Sequence, residues 1–142
     1  MAKQDLSLRK MALAVCRSSA LSNRMQYICF IKPVIGGINF FDTARAYSDS
    51  EQKVGAAFSS MRDRIVLATK TEAKTAEGFW NDLETSLRTL KTDYIDIYQF
   101  HNPSFCPKPG GEDGLYDAAL KAKEQGKDPP YIYYQSPADC ST

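Results

Sequence analysis

Histidine occurs once in this chain of 142 residues, at His101, and tryptophan once, at Trp80. With one histidine a zinc site has poor support, and Cys16, Cys29, Cys106 and Cys140 form no Cys-x-x-Cys pair. Reduced thiols and no metal are expected. An excess of charge of either sign is missing too. Eighteen Lys and Arg stand against 17 Asp and Glu, a net charge of +1, so nothing draws the chain to nucleic acid or an anionic membrane surface. No apolar run approaches the roughly 20 residues of a membrane span. The start, Met1-Ala2-Lys3-Gln4-Asp5, lacks the layout of a signal peptide. The expectation is a cytoplasmic globular protein, and 43% hydrophobic with 25% charged residues fits one with a real core.

What is present is more specific. Gly37-Ile38-Asn39-Phe40-Phe41-Asp42 is an apolar run that stops on a carboxylate, and Tyr47 follows within the next turn. Two further runs end the same way: Ile65-Val66-Leu67-Ala68-Thr69-Lys70, and Ile95-Asp96-Ile97-Tyr98-Gln99-Phe100-His101. Buried parallel strands read as continuous apolar runs, and polar residues at their C-terminal ends face the active site of a βα barrel.

Helices separate these strands. Asp49-Ser50 offers N-caps to a helix with Val54, Ala57, Phe58 and Met61 on one face. Thr75 or Ala76 opens a second, with Phe79, Leu83, Leu87 and Leu90 at helical spacing, and Thr92-Asp93 ends it. Leu115 to Gln125 is a third, with Gly126 as its C-cap. Between His101 and that helix lies a loop rich in Pro and Gly, Asn102 to Gly114, long enough to carry function. Alternating strands and helices predict parallel strands, adjacent in chain order and buried on both faces.

The strings Asp-Thr-Ala-x-x-Tyr at Asp42–Tyr47, Ala-Thr-Lys at Ala68–Lys70 and Gln-Phe-His-Asn-Pro at Gln99–Pro103 resemble the aldo-keto reductase family, in its bacterial, shorter-loop branch. The resemblance runs from about Gly37 to Lys127. It implies an α/β fold, a partial (β/α)8 TIM barrel of three to four βα units. It also implies NADPH or NADH as cofactor and a small carbonyl substrate. Asp42, Tyr47, Lys70 and His101 fall on the family's catalytic positions. Tyr47 would protonate the carbonyl oxygen as hydride reaches the carbon, and the Lys70 ammonium would favour the phenolate. Asp42 would hold Lys70 and border the cofactor, and His101 would orient the carbonyl oxygen. Taken singly, each has a plainer reading: a structural histidine, a helix-capping aspartate, a solvated lysine, a rim tyrosine. Their joint occurrence, each in its own string, favours the catalytic one.

The chain divides into a degenerate segment over 1–36, the reductase-like units over 37–127 and an irregular tail over 128–142. A first strand is not legible around Val15 to Ala20, Ala20 to Ile35 has poor periodicity, and Pro129-Pro130 argues against a central strand beyond it. Codons permitting Asp128 to Asp139 also permit, one base later, a segment resembling the family's fifth strand. A slip the other way over Ala20 to Val34 permits a helix-like segment. A displaced reading frame at both ends is therefore an expectation that coding DNA would test. A complete barrel needs roughly 250 residues, and the family holds most of its cofactor on loops after the fifth to eighth strands. Binding of NADPH by this chain alone is accordingly expected to fail. The alternatives to a working reductase are a non-catalytic truncated or frame-shifted remnant and a half-barrel protein-binding module. Open sheet edges would favour self-association.

Overall fold

The structure is a computed structural model that describes residues 11–13, 27–101, 103, 107–126 and 132–134. Five strands form one sheet: β1 (Met11–Leu13), β2 (Phe40–Asp42), β3 (Val66–Thr71), β4 (Ile97–Phe100) and β5 (Ile132–Tyr134). Their spatial order is their chain order, and every neighbouring pair is parallel. Parallel neighbours need crossover connections, and helices supply them: α1 (Lys32–Ile35), α2 (Ser50–Phe58), α3 (Ala76–Leu90) and α4 (Leu115–Glu124). This is the strand order of a (β/α)8 barrel carried part of the way round, as expected for β2, β3 and β4.

In each terminal segment the described residues include one short strand. The first strand lies at Met11–Leu13, upstream of the Val15 to Ala20 stretch. Residues Tyr27–Ile31 form a π-helical turn that runs into α1, where Pro33 sits in the first turn. Within the expected irregular tail, the described residues Ile132–Tyr134 form β5, with Tyr98 opposite Ile132 and Phe100 opposite Tyr134. That strand is at the sheet edge, where prolines nearby are tolerated. The rest of 128–142 and the Val15 to Ala20 stretch lie outside the described residues.

The helices cover one face of the sheet. Register places Phe41 beside Leu67, and Thr69 and Thr71 beside Tyr98 and Phe100. These side chains are all buried, and the apolar ones join Val54, Phe58, Phe79, Leu83, Leu87 and Leu90 in the core. Phe41 meets Phe58 with ring centroids 4.4 Å apart, and Phe79 meets Tyr98 at 5.4 Å and Phe100 at 6.0 Å. Helices α2 and α3 touch closely at Gly55, where a Cβ would lie 2.5 Å from the Thr89 carbonyl oxygen. The expectation of burial on both faces fails on the other side. Phe40, Val66, Ile97 and Gln99 alternate onto the inner face and are only half-buried, because among the described residues no further strand curves round to cover them.

The helix ends follow their sequences in part. Thr75 caps α3, its hydroxyl accepting from the Gly78 amide at 3.2 Å, and Lys91 closes it in the left-handed region at φ 55°. At α2 the expected capping is absent. Asp49 occupies the cap position, but its carboxylate pairs with Lys53 at 2.7 Å, and the Ser50 hydroxyl meets that of Thr43 at 2.8 Å.

Candidate active site

Strand register brings the first two residues of the site together. Asp42 lies beside Ala68, so Lys70, two residues on, projects from the same inner face just beyond it. The Lys70 ammonium donates to Asp42 Oδ2 and to the Thr43 carbonyl oxygen at 3.0 Å. Its side chain is 4% exposed and that of Asp42 14%. Burying an ammonium is costly unless it is paired, and the pairing here is ionic and hydrogen-bonded at once. The second carboxylate oxygen, Asp42 Oδ1, is buried with no hydrogen-bond partner among the described residues.

Tyr47 reaches the pair from a loop docked on β3. The Thr43 amide donates to the Ala68 carbonyl at 2.9 Å, and the Arg45 amide to that of Lys70 at 3.0 Å. The chain then turns, Tyr47 N to Ala44 O at 3.1 Å and Ser50 N to Tyr47 O at 2.9 Å. Lys70 Nζ lies 5.3 Å from the centroid of the Tyr47 ring. His101 follows β4, its amide donating to the Thr71 carbonyl at 2.8 Å. Its ring meets that of Tyr47 edge to face, 5.4 Å between centroids. His101 Nδ1 is 3.6 Å from the Glu72 carboxylate, too long for a hydrogen bond. All four residues singled out in the sequence thus stand at the C-terminal ends of β2, β3 and β4, on one face. Among the described residues no group of His, Cys, Asp or Glu could hold a metal ion.

A second polar layer on the helix side was not foreseen. Glu51, 2% exposed in the first turn of α2, accepts from the Thr69 hydroxyl at 2.8 Å and the Ser86 hydroxyl at 2.7 Å. Its other oxygen pairs with Arg45 at 2.6 Å. Burial opposes the Arg45 charge, but the Glu51 hydrogen bond and charge more than offset it, with smaller help from Asp82, and the guanidinium is held above its ordinary pKa. The Thr71 hydroxyl donates to Asp82 at 2.5 Å. One legible signal existed: Glu51 falls on the stripe of Val54 and Phe58, and Ser86 on that of Leu83 and Leu87, so each is a polar residue on a buried face.

The other end of the strands carries a different structure. There the Arg62 guanidinium donates to Thr92, Ile65, Tyr94 and Asp96 and stacks 3.9 Å over the Tyr94 ring. A groove of about 900 Å³ lined by Arg62, Arg88, Lys91 and Tyr94 opens there and includes none of the four site residues.

A sequential parallel βα sheet with a lysine–aspartate pair, a tyrosine and a histidine at its C-terminal rim defines a class of oxidoreductase. A sequence profile described as the aldo/keto reductase family matches residues 34–128, and the chain belongs to that family. It is 31% identical over 144 positions to the uncharacterised oxidoreductase YqkF of Bacillus subtilis, covering 92% of this chain and 44% of YqkF. Among solved structures, it is similar to the holo form of an aldo-keto reductase of Bacillus halodurans. That match has a TM-score of 0.73 and 27% identity, and covers 88% of this chain and 45% of the other. An aldo/keto reductase of Klebsiella pneumoniae, in complex with NADP and acetate, matches with a TM-score of 0.71 and 27% identity over 89% of this chain and 46% of its own. The chain spans less than half the length of each of these proteins. No helix of the described residues is long and apolar enough to cross a membrane.

Proposed function

We propose that this chain carries the proton-donating half of an NAD(P)H-dependent reductase of aldehydes or ketones. The observation that carries the reading is the Lys70 ammonium, held by Asp42 and set 5.3 Å from the Tyr47 ring, with His101 against that ring.

Reduction of a carbonyl adds a hydride at carbon and a proton at oxygen, and a bound reduced nicotinamide supplies the hydride. Tyr47 gives its phenolic proton to the carbonyl oxygen and is left as phenolate. The Lys70 ammonium stabilises that negative charge, and is itself kept charged by Asp42 and the Thr43 carbonyl. His101, beside the Tyr47 ring, orients the carbonyl oxygen and stabilises its developing charge. The pair is buried, so its electrostatic effect is less screened than on an open surface.

The fit of the cofactor is partial. Asp42 Oδ1 is a buried acceptor without a partner among the described residues, suited to a hydroxyl donor of the cofactor. Among the described residues no cluster of cations is seen beside the four residues to take its phosphates. The chain alone is therefore expected to turn over an aldehyde far more slowly than the roughly 1 per second of working enzymes. The proposed setting is the cytoplasm.

The test separates chemistry from cofactor binding. Residues 37–127 are grafted in place of the corresponding half of YqkF, and NADPH oxidation is followed with a panel of aldehydes and ketones. Turnover that falls about 10²- to 10⁴-fold on Tyr47→Phe, the range of general acid catalysis, supports the reading. A Tyr47→Phe graft as active as its parent refutes it. The half-exposed inner face at Phe40, Val66 and Ile97 favours one second reading, a half-barrel that binds another protein or a second copy through its open face and edges. Purified chain that self-associates or holds a partner without cofactor would favour this reading. Tight NADPH binding by the monomer would count against it.

A further inference from the structure

Glu51 is a carboxylate where the pattern calls for an apolar side chain. Its neighbours on the same stripe of α2, Val54 and Phe58, belong to the core, and it is itself 2% exposed. A buried ion pair adds little stability over a packed apolar residue, so its presence points to a role other than cohesion.

Its two oxygens face different parts of the molecule. Oε1 accepts from Thr69 on β3 at 2.8 Å and from Ser86 on α3 at 2.7 Å. Oε2 holds the Arg45 guanidinium at 2.6 Å. Arg45 lies two residues before Tyr47, and Thr69 immediately before Lys70. The Arg45 amide also donates to the Lys70 carbonyl at 3.0 Å. One side chain is thus joined by short contacts to the strand that carries the ammonium and to the turn that carries the phenol. That turn needs holding: Ser48, directly after Tyr47, has φ 49°, a left-handed conformation that a residue with a Cβ rarely adopts.

We propose that Glu51 and Arg45 are positioning residues, which fix the Tyr47 ring over Lys70 and against His101 by tying its turn to β3 and α3. The functional meaning rests on Tyr47 as proton donor, but the geometry can be tested without any turnover.

His101 is the chain's one histidine, so its ring C–H signals in an NMR spectrum of the full chain need no assignment. The Tyr47 ring, 5.4 Å away and edge to face, displaces them through its ring current. Tyr47→Ala gives the size of that displacement. Glu51→Gln keeps an amide oxygen for Thr69 and Ser86 while replacing the charge that Arg45 meets, and Arg45→Met keeps length without charge. Spectra are compared across a pH series, so that ring charge states are matched.

Each variant is expected to move the His101 signals by at least half of the Tyr47→Ala displacement, in the same direction, with the far-ultraviolet circular dichroism unchanged. Glu51→Gln with Arg45→Met should add nothing beyond the single variants, and Arg45→Lys should restore most of the parental position. Signals that stay at the parental position in both single variants overturn the proposal. So does a Tyr47→Ala spectrum with no displacement, or Arg45→Lys behaving like Arg45→Met. If one single variant fails to fold, the double variant, which leaves no unpaired buried charge, decides by the same criterion. A Tyr47→Phe graft that stays active would refute the proton-donor reading and leave these spectra as they are.

Discussion

Replacing Lys70 by Met isolates the electrostatics of the site from its packing. The two side chains are similar in length and volume, so no cavity term arises. What changes is the environment of Asp42. Its Oδ2 loses the ammonium, and its Oδ1 already has no partner among the described residues. With Asp42 only 14% exposed at the side chain, the result is a largely buried carboxylate with no counter-charge. Breaking a buried pair from one side costs about 3–5 kcal/mol, a large fraction of a domain's total stability. Asp42→Asn is milder, because the ammonium keeps the Thr43 carbonyl at 3.0 Å and can still donate to the amide oxygen. A loss of about 1–3 kcal/mol is expected there. The double variant removes both charges, and should be less destabilised than Lys70→Met alone. Urea unfolding followed by circular dichroism gives the three values, with the m-value checking that the denatured state is unchanged. If the double variant loses the sum of the two single losses to within about 0.5 kcal/mol, as independent sites do, the two residues are not coupled and the buried-pair reasoning is wrong.

Three other outcomes follow from the packing and the titration. Gly55→Ala should destabilise the chain although alanine is the better helix former, since the new Cβ would sit 2.5 Å from the Thr89 carbonyl oxygen of α3; a stability at or above that of the parent would refute the close contact. Phe79→Ala removes a ring 1% exposed that meets Tyr98, Phe100 and Trp80, and should cost about 3–5 kcal/mol in the same unfolding assay. Burial, offset in part by Arg62, raises the Tyr94 phenol above its ordinary pKa. The folded state then holds this proton more tightly than the unfolded one, so the contribution is full below about pH 10 and is lost as pH rises through the folded value; unfolding midpoints should fall in that window less steeply for Tyr94→Phe.

The three central strands could be read in the sequence because a parallel strand under helices is apolar along its length and ends abruptly on a polar residue, as at Asp42, Lys70 and His101. Helices α3 and α4 were legible from their periodic leucines and alanines. The edge strands β1 and β5 were not, because their pairing is a property of the sheet. Burial on the inner face was overestimated at Phe40, Val66 and Ile97, because a strand's sequence does not state how many neighbours will curve round it. Within the site, the four rim residues stood out through their strings, while Glu51 and Ser86 did not. A glutamate in a first helical turn is ordinary on dipole grounds, and only its place on the apolar stripe marks it as different.

The two faces of β3 divide the work of the site. On the inner face, Lys70 meets Asp42 and faces the Tyr47 ring. On the helix face, Thr69 and Thr71 bind Glu51 and Asp82, which lie on α2 and α3. Among the described residues, the contacts around the four rim residues come from between Asp42 and His101: the pair itself, the backbone bonds of the turn onto Ala68 and Lys70, and the Glu51 layer beneath. Alternation along a strand makes this possible, since one segment presents chemistry to one side and anchors it from the other. The contacts seen around Lys70 and Tyr47 lie inside three βα units, so the proposed proton-donor geometry can be tested separately from the binding of a dinucleotide.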